Sequence, residues 1–209
     1  MRLTRRAVLF LLLSGTALWL PGCAGVGGPF PVHLRYMGEL IKATAPPAAP
    51  RVVGLQAFEN LNSEGDTLGH RIIGKGVQSY VSRPHSIAEA FTGATEKFLR
   101  EKAHTVRSVS GWDYKPETLP RVGAGVDTVV SGKILRLFCK AEKKFARTNM
   151  ILDADVMFII GDVNNRQVVT RPVKIRLERT ELTFDNTKLE RFMNETLADL
   201  LQTGLGQLP

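Results

Sequence analysis

Long hydrophobic runs are nearly absent from this chain of 209 residues. The longest, Ala7–Leu20, covers about 14 positions, where a spanning helix needs roughly 20. Cysteine is scarce too, with Cys23 and Cys139 alone. Two cysteines allow at most one internal disulfide. Histidine occurs only at positions 33, 70, 85 and 104. Those four are scattered, with no H-E-x-x-H and no close ligand pair, so no metal site is expected. G-x-S-x-G is missing, and no serine, histidine and acid are placed as a triad. Gly69-His70-Arg71-Ile72-Ile73-Gly74-Lys75 has most of a phosphate-binding loop. Gly76 stands where the magnesium-binding Ser or Thr belongs, and no clear helix follows, so no nucleotide is expected and the stretch reads as a glycine-rich bend.

What is present begins at the N-terminus. Arg2, Arg5 and Arg6 precede the apolar run, which ends in Leu20-Pro21-Gly22-Cys23. A charged start, a short apolar stretch and a small residue before the cut make an export signal. With a cysteine directly after the cut, the segment resembles a bacterial lipoprotein signal. That resemblance implies removal of residues 1–22, cleavage between Gly22 and Cys23, and an acyl anchor on Cys23. Cys139 then has no partner, and burial as a small hydrophobe is its expected state. Thr4–Leu9 also resembles a twin-arginine motif, but Val8 replaces the usual phenylalanine, which favours general secretion.

The whole chain carries +8, and loss of the three signal arginines leaves 25 basic residues against 20 acidic. That balance fits a protein beside anionic lipid headgroups. It equally fits a soluble domain with surplus lysine and arginine. An exported chain meets little nucleic acid, and none is expected as a partner.

Residues 23–50 read as a glycine- and proline-rich tether around a short edge strand, Phe30–Tyr36. One domain is expected over 51–204, with 205–209 as a tail. Val52–Phe58 is a strand candidate, Glu59–Leu68 a loop, and Arg71–Ser82 weakly extended. Ser86-Ile87-Ala88-Glu89 is a capping box. Ile87, Phe91, Ala94, Phe98 and Leu99 then form a helical stripe. Thr105–Val109 reads as a strand and Gly111–Gly125 as a loop. Three long strands follow: Val126–Cys139, Thr148–Ile160 and Gln167–Leu182. A second helix, capped within Thr187–Glu190 and stopped by Gly204, closes the chain. These elements predict an α+β fold of two layers. Its antiparallel or mixed sheet has about four to five strands, with two helices packed on one face.

A turn at Asn164-Asn165 would set the last two strands in one register. Asp155 would then face Lys174 and Asp153 face Arg176, while Val156 meets Val173 and Leu152 meets Leu177. Asp153 and Asp155 share one strand face, as paired catalytic carboxylates or a metal site would. A carboxylate paired to a cation is held ionised, the opposite of what an acid catalyst needs. Ile151, Met157 and Ile159 point to the other face of their strand. With Trp112 and Tyr114 they are either a partner surface or covered by the loop that carries those aromatics. Lys140, Lys143, Lys144 and Arg147 cluster with Phe145 between two strands, as a headgroup contact or a solvated turn.

The lipobox, Val32–Tyr36, Val52–Phe58, the Leu68-Gly69 and Ile73–Gly76 stretches, the capped helix, the three long strands and the final helix together resemble the YajG-like bacterial lipoproteins. The ABC-transport auxiliary lipoproteins look similar in outline. Neither family carries an established catalytic set. The resemblance implies a periplasm-facing lipoprotein serving the cell envelope, and the function expected is that of a non-enzymatic, membrane-tethered module that binds a protein or lipid partner. Ala24 after the cysteine favours the outer over the inner membrane. The alternatives are an auxiliary lipoprotein subunit of an ABC-type lipid transporter, or an envelope hydrolase using Asp153 and Asp155. No cofactor is expected.

Overall fold

The computed structural model describes residues 28–38, 50–122 and 124–208. The expected signal peptide (1–22), Cys23 and most of the expected tether lie outside the described residues. The strands are β1 (Phe30–Val32), β2 (Val52–Leu55), β3 (Glu59–Asn60), β4 (Thr67–Ile73), β5 (Gly76–Ser82), β6 (Thr105–Ser108), β7 (Thr128–Lys144), β8 (Arg147–Asp162) and β9 (Gln167–Glu181). The helices are α1 (Ile87–Glu101), α2 (Leu119–Val122) and α3 (Asn186–Leu205).

Among the described residues nine strands form one curled, half-barrel sheet and there are three helices, which corrects the expectation of four to five strands and two helices. The reason is the way β7 recruits short segments. One edge of this 17-residue strand pairs in succession with β2, β3 and β4, all parallel to it. β3 is two residues long and lies inside the expected loop. Segments this short carry no periodicity of their own, and their partner is remote in sequence. The other edge of β7 pairs with β8, and β8 with β9, in two long antiparallel ladders.

A bulge between Ile134 and Arg136 keeps β7 facing the core along its whole length. The extra residue, Leu135, switches the buried parity from even (Val130, Ile134) to odd (Leu137, Cys139, Ala141). Along β8 the alternation holds from Thr148 to Phe158, and Met150, Leu152, Ala154, Val156, Phe158 and Ile160 are all buried; Ile159 is buried as well, on the other face. The β8–β9 register is as expected, with Asp155 opposite Lys174 and Val156 opposite Val173. Its connection is a four-residue turn, Val163–Arg166, closed by Asn165 N–H donating to Asp162 Oδ1 at 2.9 Å.

α1 and α3 cover the face that carries the even residues of β8. Ser86 caps α1, and both hydrogen bonds of the capping box are made. α3 begins earlier than expected, with Asp185 Oδ1 accepting from Lys188 N–H at 2.8 Å. It also ends later: Gly204 lies inside the helix, and Gly206 is the C-cap. A Cβ on Gly204 would meet Phe158 Cδ2 at 2.3 Å, so this glycine lets the helix backbone lie against the sheet.

The helices are not confined to one face. Trp112, Leu119, Val126, Val129 and Ile159 form a second, smaller buried cluster, to which Met157 and Tyr114 are joined. Met157 and Ile159 stand on the face of β8 opposite Phe158 and Ile160, so the loop carrying α2 packs behind the sheet. The expected single-sided packing fails because one turn of helix, Leu-Pro-Arg-Val, has no stripe to read in sequence.

Candidate functional site

The paired acids stand in the middle of the β8–β9 ladder. Arg176 Nη1 lies 3.2 Å from Asp153 Oδ1, and Lys174 Nζ lies 2.9 Å from Asp155 Oδ2. Both carboxylates are therefore engaged by cations directly across the ladder. Among the described residues, no group of three or more His, Cys, Asp or Glu is placed to hold a metal ion. Cys139 is buried opposite Leu152, and burial, then the nearby Asp153 charge, pushes its thiol up to about 12. That leaves it protonated and unreactive at ordinary pH. The Gly69–Gly76 stretch forms β4 and the turn into β5 rather than a loop before a helix. Gly69 has φ +142°, and a Cβ there would lie 1.8 Å from the Cys139 carbonyl oxygen, so glycine is required where β4 meets β7.

The apolar residues of the second face separate into two places. Trp112 is 3% exposed and Ile159 5%, both inside the smaller cluster. Gln56 holds the Trp112 backbone from both sides: its Nε2 donates to Trp112 O at 2.9 Å, and Trp112 N–H donates to its Oε1 at 2.8 Å. Tyr114 packs edge-on against Trp112, with ring centroids 5.4 Å apart, and donates to Glu59 Oε1 at 2.5 Å. Burial, then the hydrogen bond to Glu59, raises the Tyr114 phenol. Ile151 is remote from this group. It sits six residues back along β8 from Met157, about 20 Å, between Lys140 and Glu178.

The basic residues gather at one end of the sheet. Lys144 and Arg147 close the β7–β8 ladder around a two-residue turn, Phe145-Ala146. The Phe145 side chain is 100% exposed, and its φ is +52°. Lys140 Nζ lies 3.9 Å from Glu142 Oε2, while Lys143, Lys144 and Arg147 make no ion pair with any described residue. A cleft of about 420 Å³ runs beside the turn between Arg147, Asn149, Glu178 and Thr180. A second cleft, of about 450 Å³, lies between Leu34–Tyr36 and α1. It is lined by His85, Glu89 and Lys97.

Two neighbours of the basic cluster were not marked by sequence reasoning. Ile72 pairs with Val77 on one side and Glu142 on the other; Glu142 pairs with Asn149, and Asn149 with Thr180. Along that row, Val77 and Leu182 fall at the same end of the sheet as Phe145. They are 57% and 73% exposed. Only the register of four ladders joins residues so far apart in the chain.

No protein-family model matches the chain, and no curated protein matches it. Solved structures are similar to it in fold. Protein XCC0632 from Xanthomonas campestris, of the family DUF330, has a TM-score of 0.53 at 8% identity, over 85% of this chain and 91% of that one. Hypothetical protein CT253 from Chlamydia trachomatis has a TM-score of 0.44 at 10% identity, over 76% and 100%. Lipoprotein GNA1162 from Neisseria meningitidis has a TM-score of 0.38 at 10% identity, over 74% and 99%. At such identities the likeness to the Xanthomonas protein establishes a shared fold, that of a small bacterial domain, and nothing finer.

Proposed function

We propose that this chain is a non-enzymatic lipoprotein of the bacterial envelope, YajG-like in organisation, acylated on Cys23 and exposed to the periplasm, with the outer membrane as its site. It serves as a tethered binding or assembly module. The observation that carries the reading is the ion pairing of Asp153 and Asp155, the carboxylates on which a hydrolase reading rests. A hydrolase would need one of them free in a cleft beside a substrate. Instead Asp153 Oδ1 and Asp155 Oδ2 are each paired to a cation across the ladder, Asp155 Oδ1 is buried without a partner, and the described residues lack obvious catalytic machinery. No described helix is long and apolar enough to cross a membrane, so attachment is assigned to the acyl group.

The test is acyl labelling in a Gram-negative host with the wild-type chain and Cys23→Ser. The reading expects label on the wild type, none on C23S, and retention of the uncleaved leader in C23S. Density-gradient separation of the two membranes should place the labelled protein in the outer fraction. Label persisting on C23S contradicts the anchor, and hydrolytic turnover lost in Asp153→Asn contradicts the non-enzymatic assignment.

A further inference from the structure

The end of the sheet that carries Phe145 combines features that ordinary solvated turns do not share. Five large apolar residues of the described chain are exposed, and three of them, Val77, Phe145 and Leu182, are at this end. Lys75 at the β4–β5 turn adds a fourth cation to Lys143, Lys144 and Arg147, and none of the four is ion-paired to a described residue. The nearby carboxylates are engaged elsewhere. Glu142 is beside Lys140, Glu178 accepts from Asn149 at 2.6 Å, and Glu181 lies 3.0 Å from Lys188. The surface is therefore apolar at its tips and positive around them.

The backbone of the turn adds an independent observation. The first position of a two-residue turn with φ above zero ordinarily takes glycine. Here it takes phenylalanine at φ +52°. A bulky residue in that region is strained; Ala103, Tyr114 and Arg166 also have positive φ, and what sets Phe145 apart is a large apolar side chain wholly in solvent. Phe145 gains no burial in return.

Chain direction supplies a third. Phe30 pairs with Tyr80, Tyr80 with Gly69, Gly69 with Cys139, and Cys139 with Leu152, which makes one row across the sheet. β5 runs away from the Phe145 end, and β1 is parallel to it. Gly28-Pro29 therefore lead into β1 from the Phe145 end. Phe145 is six residues beyond the row, or about 20 Å.

We propose that this end of the sheet is a membrane-contacting tip. It recognises an anionic bilayer surface, with Phe145 inserted among the acyl chains and Lys143, Lys144 and Arg147 at the lipid phosphates. Charge complementarity selects the occupant: four free cations around apolar tips suit phosphate headgroups over hydrocarbon. The inference deepens the envelope reading by naming the surface that the domain faces. It is tested on the unlipidated Cys23→Ser chain, so a missing anchor and a missing tip contact give different results.

The experiment is co-sedimentation of full-length C23S with vesicles of phosphatidylcholine, with and without about a third phosphatidylglycerol. Residues 1–22 are common to every variant, so differences between variants report the tip. Phe145→Ser should lower partitioning to the anionic vesicles about tenfold. Lys144→Ser or Arg147→Ser should each lower it about fivefold, and these losses should vanish in pure phosphatidylcholine. Phe145→Trp should keep binding, and fluorescence in excess of the parent should be quenched by brominated phosphatidylglycerol. Thermal melting verifies that each variant is folded. Partitioning unchanged by F145S overturns the insertion, even if the cation variants weaken binding. Self-association that F145S abolishes, without any effect on vesicle binding, makes a second copy the occupant and overturns the membrane assignment.

Discussion

The β7–β8 ladder ends in two ways. At one end Thr128 pairs with Asp162, and Gly161 beside it lies beneath Leu119 and Trp112. At the other end Lys144 pairs with Arg147, and the turn between them carries a phenylalanine fully in solvent. The same two strands thus supply a covered end and a bare end. At the covered end the connection between β6 and β7, with Trp112 and the single turn of α2, shields Met157 and Ile159 from water. The bare end leaves Val77, Phe145 and Leu182 exposed and surrounds them with lysine and arginine. Apolar residues that add to folding and apolar residues held out of the fold are thereby separated by the length of one hairpin.

That contrast breaks first at Trp112. Trp112→Ala should cost about 3 kcal/mol, since it empties the centre of the smaller cluster. Urea denaturation should show a lower midpoint with little change in slope. Gly161→Ala is the next largest. Its Cβ would meet Leu119 Cδ2 at 2.4 Å and Trp112 Cζ2 at 2.9 Å. A loss of about 1–2 kcal/mol is expected in the same measurement. At the bare end the sign reverses. Phe145→Gly relieves the positive φ and removes no buried contact, so it should raise stability by about 0.5–1 kcal/mol. The same variant should partition less to anionic vesicles, which would show stability given up for contact. Between the two ends, Lys174→Met removes an ion pair whose lysine is mostly exposed. It should lower the melting free energy by less than about 1 kcal/mol. A larger loss there would mean that the middle of the ladder, not its covered end, governs stability.

What could be read from the chain follows from where the information lies. The β8–β9 register was legible because period-2 burial and opposite charges agree over many residues, so a slip of one would bury Asp153 and expose Leu152. Ser86 and Glu89 marked α1 because their capping chemistry is local. The β7–β8 turn was not legible. Phe145-Ala146 has none of the usual turn residues, and β7 runs on through Lys140–Lys144 past the expected end at Cys139. The parallel pairing of β2, β3 and β4 along β7 depends on contacts about 70 residues apart and leaves no mark in any short window. The same holds for the tip. Its cations were visible as a cluster, but Val77 and Leu182 join Phe145 only through the register of the sheet.

The most direct measurement is hydrogen–deuterium exchange on full-length C23S, with and without phosphatidylglycerol vesicles. If the bare end faces the membrane, amides at Gly74-Lys75 and Lys144–Arg147 slow on adding vesicles, while those of Val163–Arg166 at the covered end keep their rates. Slowing at Val163–Arg166 alone, or no change at either turn with vesicles bound, would contradict that orientation.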